Sequence, residues 1–295
     1  MNRLKKEDIK QEVFDLYDAY AHNKIDRRKF VNKLSLYAVG GITLTSLLSF
    51  LLPNYQDSLT VLPGDPRIES AYINYESPKG GGTIKGLLSK PVDSKRQLPG
   101  IVVVHENRGL NPYIEDVARR AALEGFITLA PDALSPLGGY PGNDDDGREL
   151  QKKRDRYEML EDFIAAYEFL KHYPECNGKI GVVGFCFGGW ISNMMAVRLP
   201  ELSAAVPFYG TQPTAEETSA IKAPLLLHYA ELDQRVNAGW PDYEKALQAN
   251  NIAYTAYIYP GVNHGFHNNT TPRYDEAAAI LAWQRTIAFF NDKLS

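Results

Sequence analysis

The sequence is poor in cysteine. Cys176 and Cys186 are the two in 295 residues, too few to staple a chain of this length into a disulfide framework. No Cys-x-x-Cys, His-Glu-x-x-His or Gly-x-x-x-x-Gly-Lys-Ser/Thr pattern occurs, which removes the common zinc, metalloprotease and P-loop chemistries. An excess of positive charge is also missing. With 32 Lys+Arg against 36 Asp+Glu, the net charge of -4 offers no basic field to nucleic acid, so no nucleic-acid partner is expected. What is present is core-forming material, 44% hydrophobic and 11% aromatic, in a length that suits one large α/β unit plus an appendage.

The appendage is the N-terminal part, placed at residues 1–60. Val13, Leu16, Tyr17 and Tyr20 recur at helical spacing, which predicts an amphipathic lead whose charges form a solvated face. After Arg27-Arg28-Lys29-Phe30, the nineteen residues from Leu34 to Leu52 carry no charge, although Gly40, Gly41 and five Ser/Thr dilute them. The paired arginine and the apolar run resemble a twin-arginine export signal, with Asp26 where such signals carry Ser or Thr. Export to the periplasm or membrane association is one reading; the other is a helix of 19 residues packed on the body or on a second copy, in a cytoplasmic protein. The segment from Pro53 to Pro66 reads as a linker.

From about residue 67, strand and helix patterns alternate. A hairpin is expected over Ser70–Ser77 and Thr83–Ser89, then strands at Ile101–His105, Phe126–Ala130, Lys179–Val183, Ser203–Phe208, Ala223–Tyr229 and Ala253–Tyr259. Helices are expected near Tyr113–Glu124, Gly147–Lys171, Gly239–Asn250 and Asp275–Asn291. This alternation predicts an α/β domain over residues 61–295, a mostly parallel sheet flanked by helices.

Gly184-Phe185-Cys186-Phe187-Gly188 lies between a strand and a helix, the context of a nucleophile elbow, with cysteine in place of the usual serine. A thiol at a helix N-terminus beside a histidine can accept an acyl group once ionised. Asp233 and then His264 follow it, each in a loop after a strand, in the order nucleophile, acid, histidine of an α/β-hydrolase fold. His267 competes with His264, and Glu231 with Asp233. His228 reads as a core residue, while His22 and His172 fall on polar helical segments and Cys176 in a turn without a base. The loop His105-Glu106-Asn107-Arg108 follows another strand. There the Asn107 and Phe187 backbone N–H groups would form an oxyanion hole, with Glu106 close to the thiol.

With Pro131-Asp132-Ala133-Leu134 and Tyr259-Pro260-Gly261-Val262-Asn263-His264-Gly265-Phe266 added, residues 70 to 295 resemble the dienelactone hydrolase (carboxymethylenebutenolidase) family. The resemblance implies Cys186, Asp233 and His264 as catalytic residues and Glu106 as their supporting carboxylate. It implies hydrolysis of a small-molecule lactone or ester through a thioester acyl-enzyme, with no metal or organic cofactor. Thioesterase or acyltransferase chemistry on the same fold, and an inactive membrane-tethered binding module, are the alternatives; a monomer and a homodimer both fit. One departure stands out: where the family places a substrate-binding arginine, four residues after the histidine, this chain has Asn268. Arg108, Arg148, Arg154 and Arg273 are the candidates to replace it. Ser135–Asp146 is expected to be a mobile loop ending in a solvated turn at Asp144-Asp145-Asp146 rather than a calcium site.

Overall fold

Short β-branched and aliphatic runs, each closed by glycine, proline or a capping side chain, become the strands of one sheet in the computed structural model, which describes residues 4–92, 94 and 96–295. The strands are β1 (Ile68–Ser77), β2 (Gly82–Pro91), β3 (Leu98–Val104), β4 (Ile127–Pro131), β5 (Cys176–Phe185), β6 (Ala204–Phe208), β7 (Leu225–Ala230) and β8 (Tyr254–Tyr259). Their order across the sheet is β1-β2-β4-β3-β5-β6-β7-β8. The β1/β2 hairpin and the β2/β4 pair are antiparallel, and every later pairing is parallel.

The helices are α1 (Gln11–Ala21), α2 (Arg27–Leu34), α3 (Leu44–Leu51), α4 (Pro112–Leu123), α5 (Asp144–Gln151), α6 (Arg156–Lys171), α7 (Phe187–Arg198), α8 (Ala215–Thr218), α9 (Gln234–Asn237), α10 (Trp240–Ala249) and α11 (Glu276–Leu294). Helices α6, α7 and α10 build one apolar core around Phe163, Ile191 and Leu247. Helices α4 and α11 build a second around Ile114, Val117 and Phe290. Strands β3 and β5 contribute to both, since alternate side chains point to opposite faces. All the parallel strands therefore aim their carboxyl ends at one rim, and the loops there carry the site.

Three sequence expectations need correction. The helix expected over Gly147–Lys171 is two helices, because Asp155 accepts the Tyr157 and Glu158 N–H groups and starts α6 afresh. The acidic run Asp144-Asp145-Asp146 is the first turn of α5, in which Asp144 turns inward to pair with Arg108 at 2.5 Å while Asp145 is half-exposed and Asp146 is exposed. Nor does Leu34–Leu52 form one helix. Gly40 and Gly41, at φ 61° and 89°, take the left-handed conformation that a right-handed helix cannot continue, and Thr43 then caps the short α3. Among the described residues no helix is long and apolar enough to cross a membrane.

Helices α1 to α3 bury Val13, Phe14, Tyr17, Tyr20, Phe30, Leu34 and Leu47 in a small core of their own, and Asp26 caps α2 by accepting the Lys29 N–H at 2.7 Å. Residues 1–3 of the expected appendage lie outside the described residues. The linker runs along the body, with the Val61 N–H donating to Asp116 at 2.6 Å. This brings α1 across the strand carboxyl ends: Lys6 donates to the Tyr274 carbonyl, Gln11 to Asn263, Arg148 to the Tyr20 carbonyl and Asn107 to the Ala21 carbonyl.

Candidate active site

Cys186 sits between β5 and α7 with φ 58° and ψ -112°, a strained turn that lifts its side chain out of the strand. The flanking glycines make the turn feasible. A Cβ on Gly184 would stand 2.0 Å from the Gly188 carbonyl oxygen, and one on Gly188 would stand 2.4 Å from the Val104 oxygen. Asp233, after β7, caps α9 with one oxygen, accepting the Val236 N–H at 3.1 Å. Its other oxygen accepts the His264 Nδ1–H at 2.5 Å. Both side chains are buried, so the pair is shielded from water and fixes the ring. His264 Nε2 is left without a partner among the described residues, and a ring nitrogen of His264 lies within 4.8 Å of the Cys186 sulfur.

The other histidines separate by their contacts. His267 accepts or donates at 2.7 Å to the Tyr113 hydroxyl and stacks on Phe185, in the core beneath the site. His228 is held by the Tyr259 and Thr286 hydroxyls, with burial pulling it down to about 3. His172 is turned to the Glu168 carbonyl of its own helix. Glu231 is exposed and accepts the Gly261 N–H at 2.7 Å. Cys176 is buried away from the rim, and burial raises its thiol.

His22 departs from its sequence reading. Its Nε2 lies 3.2 Å from the Cys186 sulfur, and its Nδ1 lies 3.1 Å from an Asp18 oxygen. Asp18 in turn meets Arg235 at 3.3 Å and Arg273 at 3.5 Å, so this charge of α1 faces the site, while Glu12 and Asp15 lie on its exposed face as expected. The Arg235 guanidinium reaches both rings, 3.1 Å from His22 Nε2 and 3.2 Å from His264 Nδ1. Sequence spacing held no signal for His22 or Asp18, whose chain neighbourhood is more than 160 residues from Cys186. Arg235 carried a weak one, two positions after Asp233.

The cluster is electrostatically coupled. Burial opposes ionisation of Cys186, but the His22 and His264 imidazoles outweigh it and hold the thiol well below its ordinary value. For His264, burial favours the neutral ring, yet Asp233, the Cys186 sulfur and Asp18 push it up to about 10. Asp18, despite burial, is held below the usual carboxylate range by His264, His22 and Arg273. The donor set of His22, Cys186 and His264 has the composition of a metal site. Arg235, however, already sets a positive charge against both rings, which argues for a thiolate stabilised by cations rather than for a resident metal.

Glu106 is buried, and burial first, then the charge of Cys186, raises its carboxyl above the usual range. Its Oε2 accepts from Asn268 Nδ2 at 2.9 Å, so the residue that replaces the expected arginine is a neutral partner for this acid. Of the candidate arginines, Arg108 is tied to Asp144 and Tyr17, Arg148 to the Tyr20 carbonyl, Arg154 to Asp162 at 2.5 Å, and Arg273 lies over the Tyr17 ring. Beside the sulfur opens a cavity of about 410 Å³ lined by Asn107, Phe187, Trp190, Arg156, Arg235 and His264 among others, with no carboxylate among the described residues of its wall. Arg156 stacks on Trp190 at 3.5 Å.

Residues 84–294 match the dienelactone hydrolase family, and residues 1–40 match a second, shorter family described as YqhI-like. Among curated relatives, "Putative hydrolase fragment YghX" of Escherichia coli is 56% identical over 114 residues, covering 39% of this chain and 97% of that protein. A "Putative carboxymethylenebutenolidase" of Synechocystis is 31% identical over 229 residues, covering 72% of this chain and 92% of the relative. Among solved structures, a "Putative Dienelactone Hydrolase" from Klebsiella pneumoniae superposes with a TM-score of 0.66 at 25% identity, over 76% of this chain and 99% of that one. An eight-stranded, mostly parallel sheet flanked by helices, a cysteine at its elbow and a family match over residues 84–294 place this chain in the dienelactone hydrolase family of α/β-hydrolases.

Proposed function

We propose that the protein hydrolyses a small lactone or carboxylic ester through Cys186, with His264 and Asp233 as its acid–base pair and a thioester as the covalent intermediate. The observation that carries this reading is the buried 2.5 Å contact from Asp233 to His264, a residue whose Nε2 is unpartnered among the described residues and which lines one cavity with Cys186. The thiolate attacks the carbonyl carbon, the leaving oxygen takes a proton from His264, and water activated by His264 then releases the acid. Phe187 N–H, at the first turn of α7 where helix amides lack partners, and Asn107 N–H across the cleft are the proposed oxyanion donors, each worth about 3 kcal/mol. The cationic wall formed by Arg156 and Arg235 fits substrates that carry a carboxylate or similar anionic group.

Turnover of a nitrophenyl ester and of an unsaturated lactone by Cys186→Ala tests this, with circular dichroism as the folding control. Loss of both activities with the fold intact is expected, and undiminished turnover would refute it. Oxygen esters, lactones and acyl-CoA thioesters compared at equal concentration separate ester hydrolysis from thioesterase chemistry.

A further inference from the structure

Helix α1 brings the Asp18–His22 pair to the Cys186 sulfur alongside the β7 and β8 loops that carry Asp233 and His264. His22 Nε2 is at hydrogen-bond distance from the sulfur, whereas His264 Nε2 makes no hydrogen bond among the described residues. The ring is aimed through its far nitrogen: Nδ1 meets the Asp18 carbonyl at 2.9 Å and its carboxylate at 3.1 Å. The two imidazoles meet edge to face at 4.7 Å. The groups facing His22 are thus Asp18 on its own helix, Cys186 at the elbow, Arg235 after β7 and His264 after β8, with Arg273 behind Asp18.

Resting on the reading of Cys186 as nucleophile, we propose that the N-terminal segment is part of the catalytic machinery: His22, oriented by Asp18, takes the Cys186 thiol proton and keeps it through the cycle. His264 is then reserved for the oxygen atoms. The thiolate forms the C–S bond to the carbonyl carbon, the C–O bond breaks, and the departing alkoxide takes the proton of His264. Neutral His264 takes a proton from water, the hydroxide attacks the thioester, and the C–S bond breaks to return the thiolate opposite protonated His22. One water is consumed, and one acid and one alcohol leave. A single imidazole would have to serve sulfur and oxygen in turn; here each has its own acid–base pair, one from residues 18–22 and one from residues 233–264.

His22→Gln, Asp18→Asn and His264→Gln in the full chain test this by two readouts: the pH profile of Cys186 alkylation by iodoacetamide, and stopped-flow separation of acylation from deacylation with a nitrophenyl ester. His22→Gln is expected to move the alkylation midpoint toward the ordinary thiol value of about 8.5. It should slow acylation by about 10²-fold or more, the scale of a general base, and change deacylation by less than about threefold. Asp18→Asn should shift both in the same direction by less, and His264→Gln should instead accumulate acyl-enzyme. Added imidazole should restore alkylation to His22→Gly, which a purely structural role would not permit. A wild-type alkylation profile in His22→Gln, or acylation and deacylation falling together, would overturn the proposal. Cys186→Ala distinguishes the levels: if it is inactive while His22→Gln is normal, the second base alone fails, and if it stays active, the nucleophile assignment fails.

Discussion

Asp233→Asn isolates the electrostatic role of the carboxylate. The amide keeps an oxygen to accept the Val236 N–H at the start of α9, so the cap survives. What changes is the 2.5 Å contact with His264 Nδ1. An amide carries no charge to stabilise the imidazolium, and if its NH2 faces Nδ1 it enforces the tautomer whose Nε2 is already protonated. Opposite charges centred about 4 Å apart at an effective dielectric of about 20 interact by about 4 kcal/mol. At about 1.4 kcal/mol per tenfold, kcat/KM should drop by about 10³. The measurement is steady-state hydrolysis of a nitrophenyl ester from pH 5 to 10, with urea unfolding in parallel. Asp233→Ala, which loses the cap as well, should be no less impaired in rate but about 1 kcal/mol less stable. Glu231→Gln, on an exposed residue that faces Gly261, should stay near wild type. Asp233→Asn within about fivefold of wild type, with an unchanged pH profile, would refute the assignment of Asp233 and His264 as the working pair.

Three further outcomes follow from the packing around the site. Gly184→Ala would press a Cβ to 2.0 Å from a backbone oxygen of the elbow, so a loss of about 3 kcal/mol in urea unfolding is expected, and a loss below about 1 would show that the turn can relax. Asn268→Leu removes the donor to buried Glu106, which should cost about 1–3 kcal/mol at pH 7; unchanged stability would mean that the acid finds another donor. Asp18, whose folded value is depressed below the ordinary 3.8, contributes stability that is present above that pH and is lost as pH falls toward its folded value. Urea midpoints of wild type and Asp18→Asn should therefore differ at pH 6 and converge in acid; parallel curves would show that the carboxylate is not stabilised by the fold.

Much of the body was legible because its signals are local. Alternation of strand and helix patterns, the glycines around Cys186 and the placing of Asp233 and His264 after strands all depend on residues within a few positions of one another. Once parallel strands point one way, loops at their carboxyl ends must converge, so three distant side chains could be expected at one rim. Local composition misled where it was read without tertiary partners. The uncharged run Leu34–Leu52 suggested a long helix, but two glycines at positive φ break it and the pieces close a small core with α1 and α2. The acidic run at residues 144–146 looked solvated throughout, and Asp146 is exposed, yet Arg108 and Tyr55 meet Asp144 at 2.5 and 2.7 Å.

The sequence by itself determined the class of fold, the elbow and the order of sulfur, acid and imidazole along the chain, since each of these is written in spacing and backbone chemistry. Only the tertiary structure decided that α1 crosses the rim, that His22 meets the sulfur at 3.2 Å, and that Arg235 reaches both imidazoles. The physical reason is that a helix advertises which face is apolar but not what that face will cover. The docking of α1 is set by contacts with Asn107, Arg148 and Asn263, residues that lie far from it in the chain and that the fold of the sheet brings to it.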